Sequence, residues 1–449
     1  VKQLRSAAVS NVALVIIYNH RYEQNIPILE RIYRSRFSHI FHLMPFYVGD
    51  RKNVIPVYES SYQFQGYLAQ GFRSYHREDF THYFFVADDL LLHPALNEGN
   101  FEEFIGLPPG HCYFPGLRRF AAEDLYFWIH DIKGYEWTAR QPGVEVAGML
   151  PTAEQAGQLL ARHGVVPLPL RFEQLWRLPE GWRQWLARAC KDPAFVVRYL
   201  SSRIRRKTYT LPYPLARGYS DILIVEAGAM RSFIQYCGIF AATGLWVEHA
   251  IPTALALATD AIVEGPSARV RGRALWTREE LAELQVYEGS LKALFEGFQP
   301  DCLFLHPVKL SKWLLDIGES VEHEISAASI LAHPGLRNQV EQLHCEGGDL
   351  VFHSTGNDPY LHLPRVPLDP AQECILLIDI TFPVPTGAQV FYSTRQAPNY
   401  SEANSLRWSA PAGRHKRQLK LPASLNGHFR IDPGTHPGAY RIHGIKVRQ

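Results

Sequence analysis

The stretch THYFFVADDLLLHP, residues Thr81 to Pro94, decides how this chain is read. Its aromatic and β-branched run ends abruptly in two adjacent carboxylates, Asp88 and Asp89, and a second apolar run follows. A buried strand has no use for charge, so acids at its carboxyl end point to the crevice of an open α/β sheet, where ligands bind. The same two acids also suit a strand-to-helix junction, because Asp is favoured as a helix N-cap.

Upstream, Val12 to Tyr18 (VALVIIY) reads as a first buried strand, and the next residues switch to helical spacing through Ile28, Leu29 and Ile32. Strand, polar turn and helix in that order open a βαβ unit. His39 to Tyr47 and Val54 to Tyr58 supply two more strands, and Tyr62 to Tyr75 reads as the helix that leads into the acid-tipped strand. Such alternation predicts an α/β domain with a mostly parallel, doubly wound sheet.

Downstream, residues 97–207 are less regular, with helical pieces at Ala153 to His163 and Leu175 to Cys190, as expected of a helical insertion carrying a lid or acceptor surface. Regular structure resumes with a strand at Asp221 to Val225, a helix from Met230 to Ala242, the segment Leu245 to Ala258, and a last strand at Asp301 to His306. From about Gly348 the segments become short, alternating and separated by Pro, Gly and Asn. ILLIDITF, AQVFYST, HKRQLKLP, HFRIDPG and YRIHGIKV have strand lengths at regular spacing, which predicts a C-terminal all-β sandwich. The expected domains are 1–335 and 345–449, with the boundary between Pro334 and Gly347.

Composition sets limits on function. With 449 residues the chain is too long for one ordinary core. Forty-six basic against 44 acidic residues leave a net charge of +2, too little field to expect a nucleic-acid partner. Arg203, Arg205, Arg206 and Lys207 form the one dense basic run, suited to a diphosphate, an anionic membrane surface or plain solvation. The six cysteines show no CxxC pair, so a reducing cytoplasm is the expected setting. No stretch reaches 18 consecutive apolar residues and no h-region opens the chain, which predicts a protein without a transmembrane segment, at most attached to the inner face of a membrane. GxSxG, GxxxxGK[ST] and a GxGxxG following a strand are all missing, which speaks against serine hydrolase, P-loop and Rossmann chemistry.

A first strand with a polar tip, two βα units and a strand ending in acids resembles the GT-A fold of nucleotide-sugar glycosyltransferases over roughly residues 9 to 320. In that family an acidic DxD motif holds a divalent cation. Here the motif reads Val86, Ala87, Asp88, Asp89, so its first acid is missing. This departure leaves either Mn²⁺ or Mg²⁺ on Asp89 with help from Asp88 and a later His or Asp, or no metal; the resemblance implies a nucleotide-sugar donor met by Tyr18, Asn19, His20, Asp88 and Asp89. After the apolar strand DCLFLH, His306 could complete a metal site and Lys309 could meet the diphosphate, or the segment is a helix amino end with solvated lysines. The resemblance also implies a catalytic base late in the domain at the start of a helix. Glu248, in LWVEHAIPTAL, matches that position, and Asp221, in GYSD, is the second candidate. Burial among apolar neighbours raises a carboxyl pKa and prepares a base, although it equally suits a salt bridge to an Arg.

The function expected is a glycosyltransferase that moves a sugar to a hydroxyl of a glycan, polysaccharide or glycolipid acceptor. The alternatives are a glycan-binding or scaffold protein with a degenerate transferase domain, and a sugar-phosphate nucleotidyltransferase. In the sandwich, Phe391, Tyr392, Tyr400 and Trp408, with Arg395, Asn399 and Asp432, could line a sugar surface, or the alternate aromatics could point inward.

Overall fold

The structure is a computed structural model and describes residues 11–121, 128–146, 148–175, 186, 190, 193–205, 208–317 and 321–449. It divides into two compact units, Val1–Ala274 with Gln299–Val308, and Leu275–Phe298 with Lys309–Gln449. Among the described residues, no helix is long and apolar enough to cross a membrane.

The first unit contains β1 (Val12–Ile17), β2 (His39–Pro45), β3 (Val54–Val57), β4 (His82–Ala87), β5 (Leu91–Leu92), β6 (Cys112–Phe114), β7 (Ile222–Glu226), β8 (Ile262–Glu264), β9 (Arg271–Ala274) and β10 (Cys302–His306). Seven of them form one sheet in the order β8-β6-β7-β4-β1-β2-β3. β1 runs parallel to β2 and β4, β2 to β3, and β6 to β8. β7 opposes both β4 and β6, a reversal that the apolar run ILIV gave no sign of. From β1 the chain winds outward to β2 and β3, then crosses to β4 on the other side of β1. The carboxyl ends of β1 and β4 therefore flank a topological switch point, where an open α/β sheet leaves a crevice for ligands.

β1 and β4 are buried at every position, as central strands covered on both faces must be. The crossovers are α1 (Asn25–Tyr33) and α2 (Phe64–Tyr75). Between β6 and β7 lie α3 (Trp128–Glu136) and α4 (Ala153–Arg162), the latter opened by a reciprocal capping box between Thr152 and Gln155. The helix expected over Leu175 to Cys190 falls mostly outside the described residues, as do Arg206 and Lys207; Arg203 and Arg205 are exposed. α5 (Ala227–Ala242) and α6 (Val247–Ala258) follow β7. Ala13, Val15, Ile17 and Phe85 share one core with Phe64 and Leu68 of α2 and Phe233 and Cys237 of α5. On the opposite face Phe84 meets the rings of Phe37 and Phe101 at 5.4 and 5.2 Å.

The second unit is a β-sandwich. β11 (Glu322–Glu324), β12 (Val340–Glu346), β13 (Asp349–Ser354), β15 (Cys374–Phe382), β18 (Gly413–Leu421) and β20 (Gly438–Arg448) make one sheet; β14 (Tyr360–His362), β16 (Thr386–Thr394), β17 (Ser405–Ala410) and β19 (Leu425–Asp432) make the other, with Arg337–Asn338 at its edge. Alternate residues of both sheets, such as Leu376, Ile378 and Ile380 of β15 and Val390 and Tyr392 of β16, meet in a single core.

The domain boundary expected between Pro334 and Gly347 is corrected, because it falls inside this unit. β11 pairs with the far end of β20, and Leu314 covers Ile375 and Leu377 on the outer face of β15. A Cβ on Gly289 would come within 2.8 Å of Ile375 Cδ1, so residues 275–298 also pack there.

Candidate active site

Three connections gather the site at the carboxyl ends of β1 and β4. Beyond β4, Asp88 N–H donates to the Ile17 carbonyl at 2.9 Å, which seats the acid pair beside the tip of β1. Because β7 runs antiparallel, its first residue lies at this same end, and Ala87 N–H donates to the Asp221 carbonyl at 2.8 Å. β10 pairs antiparallel with β5, and Val308 N–H donates to the Asp89 carbonyl at 2.6 Å. This brings His306 Nε2 to 3.1 Å from Asp89 Oδ1 and 4.0 Å from Asp221 Oδ2.

Glu248 arrives through a backbone device. Pro252 lies inside α6 and has no N–H, so the Glu248 carbonyl four residues earlier lacks its usual helical donor. Gly218 N–H fills the vacancy at 3.0 Å, and Thr253 Oγ1 accepts from Ala216 N–H at 2.9 Å. Together they staple the loop from Ala216 to Asp221 onto the start of α6. Gly218 allows the close approach, since a Cβ there would fall 2.7 Å from the Gly116 carbonyl oxygen and 2.3 Å from a Phe114 ring carbon. Gly218→Ala is expected to push this loop off the helix and to lower site activity at least tenfold with a smaller loss of overall stability. Turnover and thermal melting measured on the same sample check this.

Electrostatics give these groups different roles. The Glu248 side chain is half-buried, but its Oε2 is shut off from solvent and has no hydrogen-bond partner among the described residues. Burial pushes the Glu248 carboxyl well above the usual carboxylate range, and the charge of Asp221 pushes the same way. Hydrogen bonds from the Ser220 hydroxyl and N–H, and the Arg217 guanidinium, pull it partly back. Tyr219 stands among three acids. Its phenol is pushed far up by burial and by the charges of Asp221, Glu248 and Asp89, so it remains a neutral hydrogen-bond donor. The ring stacks on Phe304 at 5.8 Å and meets His306 edge-on at the same distance.

Of the residues singled out from sequence, Asp88, Asp89, Asp221, Glu248 and His306 thus come together. Asn19 is half-buried at the tip of β1 and His20 is exposed. Tyr18 is a correction: its ring is 0% exposed and its hydroxyl shares a 2.9 Å hydrogen bond with His42 Nδ1, so it offers no face to a nucleobase. Lys309 belongs to the second unit. Sequence reasoning missed Tyr219, Ser220 and Arg217, although GYSD already set an aromatic and a hydroxyl beside Asp221.

Of the residues expected to hold a cation, Asp88 Oδ2 accepts from Asn25 Nδ2 at 2.9 Å, and Asp89 Oδ1 lies 3.1 Å from His306 Nε2. Among the described residues, no three His, Cys, Asp or Glu side chains are arranged to hold a metal ion.

In the sandwich, Tyr392 and Trp408 point into the core. Arg430 lies over the rings of Tyr360 and Phe391 at 4.1 and 4.6 Å and holds Asp432 with both nitrogens of its fork, at 2.7 and 2.6 Å. Tyr400 meets His362 edge-on at 5.1 Å.

No protein-family model matches this chain, and no curated protein matches it either. Solved structures similar to part of it include a low-affinity xylan-binding module from Roseburia intestinalis, with 7% identity over 28% of this chain and 93% of that one and a TM-score of 0.21. The C-terminal family 6 carbohydrate-binding module of a Zobellia galactanivorans laminarinase gives 13% identity over 29% of this chain and all of that one, with a TM-score of 0.20. A family 29 carbohydrate-binding module gives 11%, 29% and 92%, with a TM-score of 0.21.

Proposed function

We propose that the first unit is a glycosyltransferase that moves a sugar from a nucleotide-sugar donor to a hydroxyl of a glycan, polysaccharide or glycolipid acceptor. The observation that carries this reading is the gathering of Asp89, Tyr219, Asp221, Glu248 and His306, drawn from distant parts of the chain, at the switch point of the sheet, with the Glu248 carboxyl largely withdrawn from water. The Glu248 carboxylate takes the proton of the acceptor hydroxyl while the hydroxyl oxygen bonds to the anomeric carbon. The bond from the anomeric carbon to the diphosphate oxygen breaks, and its electron pair leaves with the nucleoside diphosphate. Tyr219 donates its hydroxyl hydrogen bond to Asp221, and Asp89 orients His306.

A panel of UDP- and GDP-sugars tests the reading by thermal shift and by release of nucleoside diphosphate. At least one member is expected to raise Tm and to be slowly cleaved, with cleavage reduced tenfold or more in Asp89→Ala. A panel in which no nucleotide sugar moves the melt sinks the proposal. Pyrophosphate released from a nucleoside triphosphate and a sugar phosphate makes the unit a nucleotidyltransferase instead.

A further inference from the structure

Behind Glu248 lies a buried ionic cluster that the reaction above does not use. Arg217 Nε is 3.0 Å from Asp131 Oδ1, and His249 Nε2 reaches the same oxygen at 3.1 Å. Asp131 and His249 are both 0% exposed and Arg217 is 6% exposed. Charge held this deep in a core is costly, and an apolar replacement of similar volume is often as stable. Stability alone therefore gives no reason to keep it.

Its position supplies one. Arg217 is the residue before Gly218, whose N–H docks on the Glu248 carbonyl, and its own N–H and carbonyl pair with those of Arg118 at 2.8 Å each. His249 follows Glu248 on α6, and Asp131 comes from α3. The cluster thus grips the loop and the helix start between which the Glu248 carboxylate sits.

We propose that Arg217, held by Asp131 and His249, is a positioning residue that fixes the loop and helix start around the Glu248 carboxylate and favours its charged form. The proposal rests on Glu248 being the base. Asp221, Arg217 and Tyr219 of the loop bear on Glu248; Arg217 is tied to Asp131 on α3, which also meets His249, and Asp221 lies 4.0 Å from His306, which in turn meets Asp89. Burial keeps the His249 imidazole below its ordinary range and so neutral at pH 7. Among the described residues, the positive charge that counters Asp221 at Glu248 is then that of Arg217, which Asp131 pairs.

Opposite signs follow for the two partners. Removing the guanidinium in Arg217→Gln leaves Glu248 harder to ionise, whereas Asp131→Asn strips away the compensating carboxylate and makes it easier. The readout needs no substrate. For each full-length protein and its Glu248→Gln counterpart, the difference in Tm is followed from pH 5 to pH 9, and the inflexion marks ionisation of Glu248.

The inflexion is expected to move up by about one pH unit or more in Arg217→Gln, a tenfold change in the dissociation constant. It should stay in place in Arg217→Lys and move down in Asp131→Asn. The double variant Asp131→Asn/Arg217→Gln leaves no buried unpaired charge and serves if the single variants do not fold. Its inflexion should also lie above the parent's, because the Arg217 guanidinium is the group that pulls the Glu248 carboxyl down. Coincident inflexions in parent and double variant, or shifts of the same sign in Arg217→Gln and Asp131→Asn, overturn the proposal. Failure to cleave any nucleotide sugar would sink the transferase reading and leave this titration untouched.

Discussion

Glu248→Gln should lower sugar transfer by about two to four orders of magnitude while leaving donor binding within a few-fold of the parent. Gln keeps the shape of the side chain and can still accept the two hydrogen bonds from Ser220, but it cannot take a proton from an acceptor hydroxyl. The same substitution should raise stability. In the folded protein the Glu248 carboxyl titrates above its unfolded value, chiefly because it is buried and secondly because Asp221 is near. A group shifted this way contributes stability that is fully present below the unfolded pKa, about 4.3, and is lost as pH rises through the folded one. Once the pH has risen through the folded value, the native protein holds a carboxylate it would rather protonate, and the amide relieves that. A Tm gap in favour of Glu248→Gln that opens as pH rises and closes towards acid pH is the expected pattern. An unchanged turnover removes Glu248 from the chemistry, whereas a Tm gap independent of pH removes the desolvated carboxyl.

The individual members of this site were legible because charge inside an apolar run is anomalous. Asp88 and Asp89 after YFFVA, Glu248 in LWVEHAI and His306 after DCLFL all break hydrophobic segments. Their meeting was not legible. It depends on β7 running backwards, which delivers Asp221 to the end of the sheet where β4 stops, and an apolar strand carries no mark of its direction. It depends too on Pro252, whose effect appears only when Gly218 is seen filling the place of the missing amide. Tyr18 misled for a simple reason: a strand-tip tyrosine turns inward or outward according to where its hydroxyl finds a partner, and His42 on the neighbouring strand supplies one.

The sandwich was easier to see, since period-two alternation is direct. In HFRID, Phe429 and Ile431 are buried while His428 is exposed and Arg430 half-exposed. Its beginning was hidden, because Gly289 packs on Ile375 and Leu314 covers Ile375 and Leu377, contacts that no local pattern announces.

The largest stability effect is expected at Asp131. Asp131→Ala leaves Arg217 in the core without the carboxylate that receives its Nε, and the side chain cannot reach water without tearing the loop from α6. Breaking one half of a buried pair costs about 3–5 kcal/mol, which in a unit of this size lowers Tm by roughly 10 °C. His249 makes the loss worse, because its Nε2 loses the same oxygen and its Nδ1 already has no partner. By contrast Asp260, which meets Arg162 with both side chains more than half exposed, should change stability by only roughly 0–1 kcal/mol when replaced by Ala. The decisive comparison is Asp131→Leu with Arg217→Met. If the pair is kept for the site and not for the fold, the double variant should melt near the parent while its Glu248 titrates at higher pH. A double variant that melts as low as Asp131→Ala would mean that the buried charges stabilise the first unit directly.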